Sequence, residues 1–141
     1  MNILSLPLQA EELIPHRLPM RLVERLLEID GKNGIVAAQV SAECPLVDSN
    51  GKLENIALVE LIAQSYAALK GYIDRLEDKP VRQGFLVGIK KMNWFETVLA
   101  DEQLLIKIST LVELNDFAVA EGEIWRGDML VASGEIKVWI N

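Results

Sequence analysis

One carboxylate lies in the middle of a long apolar segment. Residues 56–69 read Ile-Ala-Leu-Val-Glu-Leu-Ile-Ala-Gln-Ser-Tyr-Ala-Ala-Leu, and Glu60 is the one group expected to be charged there. A helix that is apolar on nearly every side is normally buried. A buried carboxylate needs a compensating partner, or it holds its proton more tightly and becomes suited to proton transfer. Glu60 is therefore a candidate for acid–base chemistry, although structural networks also produce such carboxylates.

The chain has a single histidine, His16, between Pro15 and Arg17. A Ser-His-Asp triad would need this residue, yet no Gly-x-Ser-x-Gly segment is present to offer the serine. Neither the Cys and His spacing of a zinc site nor a glycine-rich phosphate loop occurs. We therefore expect no metal and no cofactor, which leaves proton transfer by side chains. A hydrogen-bonded structural role for His16 is the alternative.

The composition fits one globular domain over residues 1–141. Half of the residues are hydrophobic, a quarter are charged, and the net charge of −7 argues against binding nucleic acid. No apolar run reaches the ~18 residues of a membrane span, and the start of the chain lacks the features of a signal peptide. The lone Cys44 agrees with a reducing environment, so we expect a cytoplasmic protein without a membrane span.

The hydrophobic pattern predicts a hairpin, one long helix and an antiparallel meander. The hairpin strands are expected at residues 21–29 and 35–40, around the turn signal Asp-Gly-Lys-Asn-Gly. The helix is expected at about residues 54–75, and strand-length segments follow at residues 85–94, 102–114, 117–125 and 129–140. A sheet that covers a helix apolar all round has to curl about it, which is the α+β hotdog fold and is usually dimeric.

Two segments resemble a known enzyme family. Residues 13–25 read Leu-Ile-Pro-His-Arg-Leu-Pro-Met-Arg-Leu-Val-Glu-Arg, and residues 60–64 read Glu-Leu-Ile-Ala-Gln. Both resemble the β-hydroxyacyl-acyl-carrier-protein dehydratases, in which they match the opening motif and the Glu-x-x-Ala-Gln motif of the central helix. The similarity extends over nearly the whole chain and is greatest to a divergent, aryl-polyene-type branch of that hotdog family.

The resemblance implies a 3-hydroxyacyl-thioester dehydratase, a hydro-lyase of fatty-acid, polyketide or polyene synthesis. Its substrates would be carried on acyl carrier protein or coenzyme A. Glu60 stands at the family's acidic catalytic position, and His16 is the candidate base. A homodimer, a hotdog heterodimer or a higher oligomer is expected. Candidate substrate-binding residues are Gln64, Asn55, Gly84, Phe85 and Leu86.

The sequence departs from the family in one functional loop. The standard enzymes carry a catalytic histidine in a Gly-His-Phe-Pro-Gly loop before the helix, whereas residues 45–53 here contain no histidine. Asn55 and Ile56 also replace the Pro-Gly pair that opens the helix beside the thioester carbonyl. Two other functions therefore stay open: a non-catalytic hotdog subunit that pairs with an active homologue, and an acyl thioesterase that uses Glu60.

Overall fold

A curled antiparallel sheet of seven strands surrounds one long helix in the computed structural model, which describes residues 5–141. The prediction that the chain starts without a signal peptide falls partly outside the described residues. Helix α1 spans Asn55–Leu76, and a short 3-10 turn spans Ala10–Glu12. The strands are β1 (Leu8–Gln9), β2 (Val23–Asp30), β3 (Asn33–Gln39), β4 (Gly84–Trp94), β5 (Gln103–Leu114), β6 (Phe117–Arg126) and β7 (Met129–Ile140).

The predicted hairpin, helix and strands are present, and the hotdog architecture is confirmed. The predicted four-strand meander is wrong in part: β5, β6 and β7 are successive neighbours, but β4 pairs with β7 at the edge of the sheet, because residues 95–102 form a crossing connection instead of a tight hairpin turn. The hairpin turn is tighter than expected, because Asp30 pairs with Asn33 and only Gly31 and Lys32 lie between them. Gly31 has a φ of 61°, which glycine adopts without steric cost. Strand β1 was not predicted, since two residues are too few to show alternation.

Helix α1 forms the centre of the core. The residues that it buries occur on several sides of the helix, which agrees with a sheet wrapped around it. By length and mean hydropathy, 1.2, this helix could cross a membrane, but 67% of its apolar window is buried within the protein. That environment is typical of a core helix.

Strand β4 lies at one edge of the sheet, in the order β1-β2-β3-β5-β6-β7-β4. Within residues 5–141 it pairs with β7 alone. It is eleven residues long and exposes Phe85, Val87 and Ile89 to roughly half of their possible extent. A long apolar edge strand offers unpaired backbone groups to another strand.

Candidate functional site

His16 and Glu60 line the same groove. One wall is a face of α1 that includes Glu60, Ala63 and Ala67, which recur every three or four residues. The segment before β2 contributes His16, and the ends of β4 and β7 close the opposite side. The fold therefore brings together the two residues that the sequence selects for acid–base chemistry, although they are 44 positions apart.

The segment that carries His16 is held by turns and by buried side chains. Leu13 and Ile14 are almost fully buried and anchor it to the core. The Nη1 atom of Arg17 donates hydrogen bonds to the carbonyl oxygens of Ile14, at 2.9 Å, and His16, at 2.8 Å. Helix α1 presents Gly71 to this segment, and a Cβ atom there would lie 2.1 Å from the carbonyl oxygen of Leu13. Only glycine permits so close an approach.

Gln64 connects Glu60 to the same segment. Its Nε2 atom donates to Oε2 of Glu60, at 3.0 Å, and to the carbonyl oxygen of Met20, at 2.9 Å. Its Oε1 atom accepts from the backbone N–H of Leu22 at 2.7 Å. The buried amide thus orients the carboxylate and fixes the start of β2. The contact between Gln64 and Glu60, one helical turn apart, has the spacing expected from the sequence.

The imidazole of His16 is electrically suited to accept a proton. Burial lowers its pKa below the ordinary value of 6.5, and the nearby Arg17 cation lowers it further, while the Glu60 carboxylate acts in the opposite direction. The ring is therefore neutral at neutral pH, which a general base requires. Its Nδ1 atom is buried and has no hydrogen-bond partner among residues 5–141.

Glu60 is less buried than an all-apolar helix predicts. Its side chain is half-buried because its face of α1 opens into the groove instead of packing on the sheet. A carboxyl group in this position can contact a bound molecule while it keeps its hydrogen bond with Gln64. The groove therefore offers a neutral imidazole and a carboxyl group to one ligand, the pair that proton abstraction and proton donation require.

Of the other predicted substrate-binding residues, two line the groove and two lie outside it. Gly84 and Leu86 line the groove with His16 and Glu60. Phe85 pairs with Trp139 in the sheet and is 44% exposed, and it does not line the groove. Asn55 borders a different depression, beside Trp94 and the start of α1. In the described chain, residues 41–53 do not line the groove, and Asp48 accepts turn-forming hydrogen bonds from the N–H groups of Asn50 and Lys52.

The sequence matches one dehydratase family over almost its full length. Residues 8–141 match the ApeP-like family, described as ApeP dehydratase. The chain belongs to the ApeP-like dehydratase family. This membership confirms the predicted resemblance to the hotdog dehydratases and to their aryl-polyene-type branch.

Curated relatives of this ApeP-like chain carry the dehydratase name. The 3-hydroxyacyl-[acyl-carrier-protein] dehydratase FabZ of Alkaliphilus metalliredigens is 25% identical over 134 residues, which are 92% of this chain and 89% of that protein. FabZ of Pelotomaculum thermopropionicum is 27% identical over 133 residues, which are 91% of this chain and 93% of that protein. The dehydratase-like function predicted from the sequence therefore holds at the level of the family.

Solved structures share the fold of the ApeP-like chain. A chain of the dehydratase heterocomplex ApeI:P from Xenorhabdus doucetiae matches with a TM-score of 0.87 and 20% identity, over 95% of this chain and 91% of that chain. A hypothetical thioesterase from Streptococcus pneumoniae, solved with coenzyme A, matches with a TM-score of 0.62 and 13% identity, over 82% and 84% of the two chains. Both likenesses confirm the hotdog fold.

A polar cluster at the far end of the ApeP-like groove was missed by the sequence reasoning. It consists of Tyr66, Lys70, Asp74 and Arg82, all of which line the groove. The signal was present, because positions 66, 70 and 74 recur every four residues and share one face of the helix. No group of three or more His, Cys, Asp or Glu side chains in residues 5–141 is arranged to hold a metal ion.

The single histidine makes the electrostatics of the groove directly measurable. In an NMR titration, the midpoint of His16 is expected below 6.5, since burial lowers its pKa. Glu60→Gln is expected to lower the midpoint further, because the carboxylate stabilises the imidazolium. Glu24→Gln, in β2 and outside the groove, is the matched control. A midpoint of 6.5 or above, or a rise in Glu60→Gln, would contradict the described environment.

The lowered pKa of His16 also makes the free energy of unfolding depend on pH. The unfolded chain binds a proton at His16 more readily than the folded chain, because the folded pKa is lowered. The stability contributed by neutral His16 is therefore fully present above pH 6.5. It is lost as the pH falls through the pKa that His16 has in the folded protein.

Proposed function

We propose that the chain dehydrates 3-hydroxyacyl thioesters through His16 and Glu60. Neutral His16 removes a proton from C2 of the acyl chain, and Glu60, once it has taken up a proton, donates it to the departing 3-hydroxyl. The C2–H and C3–O bonds break, a C2–C3 double bond forms, and one water molecule leaves. The enzyme thus needs no metal and no redox cofactor for this reaction.

One observation carries this proposal: a neutral imidazole and a carboxyl group face the same groove. Gln64 supports it by holding Glu60 and the segment of His16 together through three hydrogen bonds. Gly84 and Leu86, at the start of the neighbouring strand, provide a wall along which a thioester arm can lie. Asn55 and Phe85 lie outside the groove and have no part in the proposal.

Mass spectrometry of a 3-hydroxyacyl chain on acyl carrier protein tests the proposal. We expect the purified protein to produce an acyl chain lighter by one water molecule. Release of a free acid would instead indicate a thioesterase. An unchanged substrate would indicate a non-catalytic subunit, which would then be assayed again together with its hotdog partner. The same assay with the coenzyme A thioester gives the preferred carrier.

We also propose that β4 pairs with the corresponding strand of a second hotdog chain. The strand is long, apolar and open along its outer edge within residues 5–141. Because its first residues line the groove, a partner strand would lie beside the site. The match to a heterocomplex from Xenorhabdus doucetiae supports a different hotdog chain as partner, and a second copy of this chain is the alternative.

Charge at the β4 edge is expected to separate the subunits. Ile89→Lys places an ammonium group where a side chain 46% exposed now lies, so we expect the molar mass by light scattering to fall to that of one chain. Leu111→Lys is the control, since Leu111 is 48% exposed on β5, an interior strand. An Ile89→Lys protein that keeps the assembled mass would contradict pairing through β4.

A further inference from the structure

Tyr66, at the far end of the groove, has a buried hydroxyl group that no group within residues 5–141 satisfies. Tyr66 is 2% exposed and lines the groove. Its Oη atom is buried and has no hydrogen-bond partner among residues 5–141. A buried hydroxyl without a partner is costly, so native proteins rarely keep one without a reason.

The charged groups around Tyr66 are already paired with one another. Asp74 accepts two hydrogen bonds from Arg82, from Nε at 3.0 Å and from Nη2 at 2.8 Å. Lys70 donates to Glu113 at 2.8 Å and lies 3.7 Å from Asp74. These two cations and two carboxylates neutralise each other, so the cluster favours no net charge in a ligand.

The hydroxyl of Tyr66 keeps its proton. Burial raises the pKa of this phenol strongly, and the Glu113 and Asp74 carboxylates raise it further, against a smaller effect of Arg82. The group is therefore a neutral donor at every pH at which the protein functions. It fits an oxygen atom of a ligand that can accept a hydrogen bond.

The position of Tyr66 suits contact with an acyl chain rather than with the reacting carbons. Tyr66 follows Glu60 by six residues on α1, a rise of ~9 Å along the helix. Ala63 and Ala67 line the groove on the same helix, and their small side chains leave space for a slender chain. A substrate whose C2 and C3 atoms lie at Glu60 can therefore extend toward Tyr66.

We propose that the groove accepts acyl chains whose far end carries an uncharged oxygen, as a hydroxyl or a carbonyl, and that Tyr66 is the specificity-determining residue. The proposal rests on the proposed function only in taking acyl thioesters as ligands. A saturated chain end would leave the hydroxyl unsatisfied. A carboxylate end would lie beside Asp74, and the Lys70 and Arg82 cations that line the groove are already engaged in ion pairs.

Binding of thioether analogues, which cannot react, tests this specificity independently of catalysis. Three analogues of equal length would end in methyl, primary hydroxyl and carboxylate groups, and their affinities would be measured by calorimetry. We expect wild-type protein to bind the hydroxyl analogue about tenfold more tightly than the methyl analogue, which corresponds to ~1.4 kcal/mol. Tyr66→Phe removes only the hydroxyl and is expected to abolish this preference without weakening the methyl analogue.

Tyr72→Phe provides the matched control. Tyr72 is on the same helix but does not line the groove, so its variant should keep the preference for the hydroxyl analogue. Equal affinity of wild-type protein for the methyl and hydroxyl analogues would overturn the proposal, as would tightest binding of the carboxylate. So would a preference that survives in Tyr66→Phe. A protein that shows the preference but dehydrates no 3-hydroxyacyl substrate would refute the proposed reaction alone.

Discussion

Replacing Glu60 by glutamine is expected to lower kcat for dehydration by about 10²–10⁴-fold, the usual contribution of one positioned acid or base. The amide is close in size to the carboxyl group, and its oxygen can still accept the hydrogen bond from Gln64. It cannot donate a proton to the departing hydroxyl. The loss should therefore appear in kcat, measured by the rate of water loss from a 3-hydroxyacyl carrier, with little change in KM.

His16→Gln should cause a loss of the same order, because the variant removes the proposed base. If the two groups act as a pair, the double variant should lose little more than either single variant. Glu24→Gln is again the control, since this half-buried carboxylate lies in β2 outside the groove. A loss of less than about tenfold in Glu60→Gln or His16→Gln would show that the residue has no direct part in proton transfer.

Gly71→Ala is expected to destabilise the protein, although alanine normally stabilises the interior of a helix relative to glycine. Helix propensity alone favours alanine over glycine by about 1 kcal/mol. Here the added Cβ would lie 2.1 Å from the carbonyl oxygen of Leu13, so the backbone of one segment must move. Overpacking of this kind costs about 1–3 kcal/mol. We therefore expect a net loss in the free energy of unfolding, measured by urea denaturation.

The change at Gly71 should also reduce dehydration, because Leu13 precedes His16 by three residues. Ala67→Gly is the comparison variant, since it changes the same helix one turn earlier and removes atoms instead of adding them. It should cost about 1 kcal/mol through helix propensity, together with the loss of one methyl group that packs against the core. A Gly71→Ala protein that is more stable than wild type would contradict the close approach of Leu13.

The elements of the fold could be predicted from the sequence because each has a strong local signal. Alternation in β5 and β7, and the apolar run of α1, are direct consequences of burial on one face or on all faces. The short β1 has no such signal, since its pairing with β2 depends on the finished sheet. Strand boundaries shifted by a few residues, as at Asn33, where the hairpin turn decides the register.

The candidate site could be predicted only in part. Glu60 and His16 were selected by residue type and by resemblance, and the fold places both in one groove. Asn55 was chosen by its place in the sequence, but the start of α1 turns toward another depression. The role of Arg82 was not predictable, because its two bonds to Asp74 join the end of α1 to the chain before β4, eight residues away.

The segment that carries His16 has a consequence for heat inactivation. Between Leu13 and Leu22 the backbone forms turns, and contacts such as those of Gln64 and Gly71 hold it in place instead of a strand ladder. Opening such a segment costs less free energy than unfolding the sheet. Mild heating should therefore abolish the dehydration activity while the circular dichroism signal of the sheet is unchanged. The half-life of the activity should then be shorter than the half-life of the folded sheet.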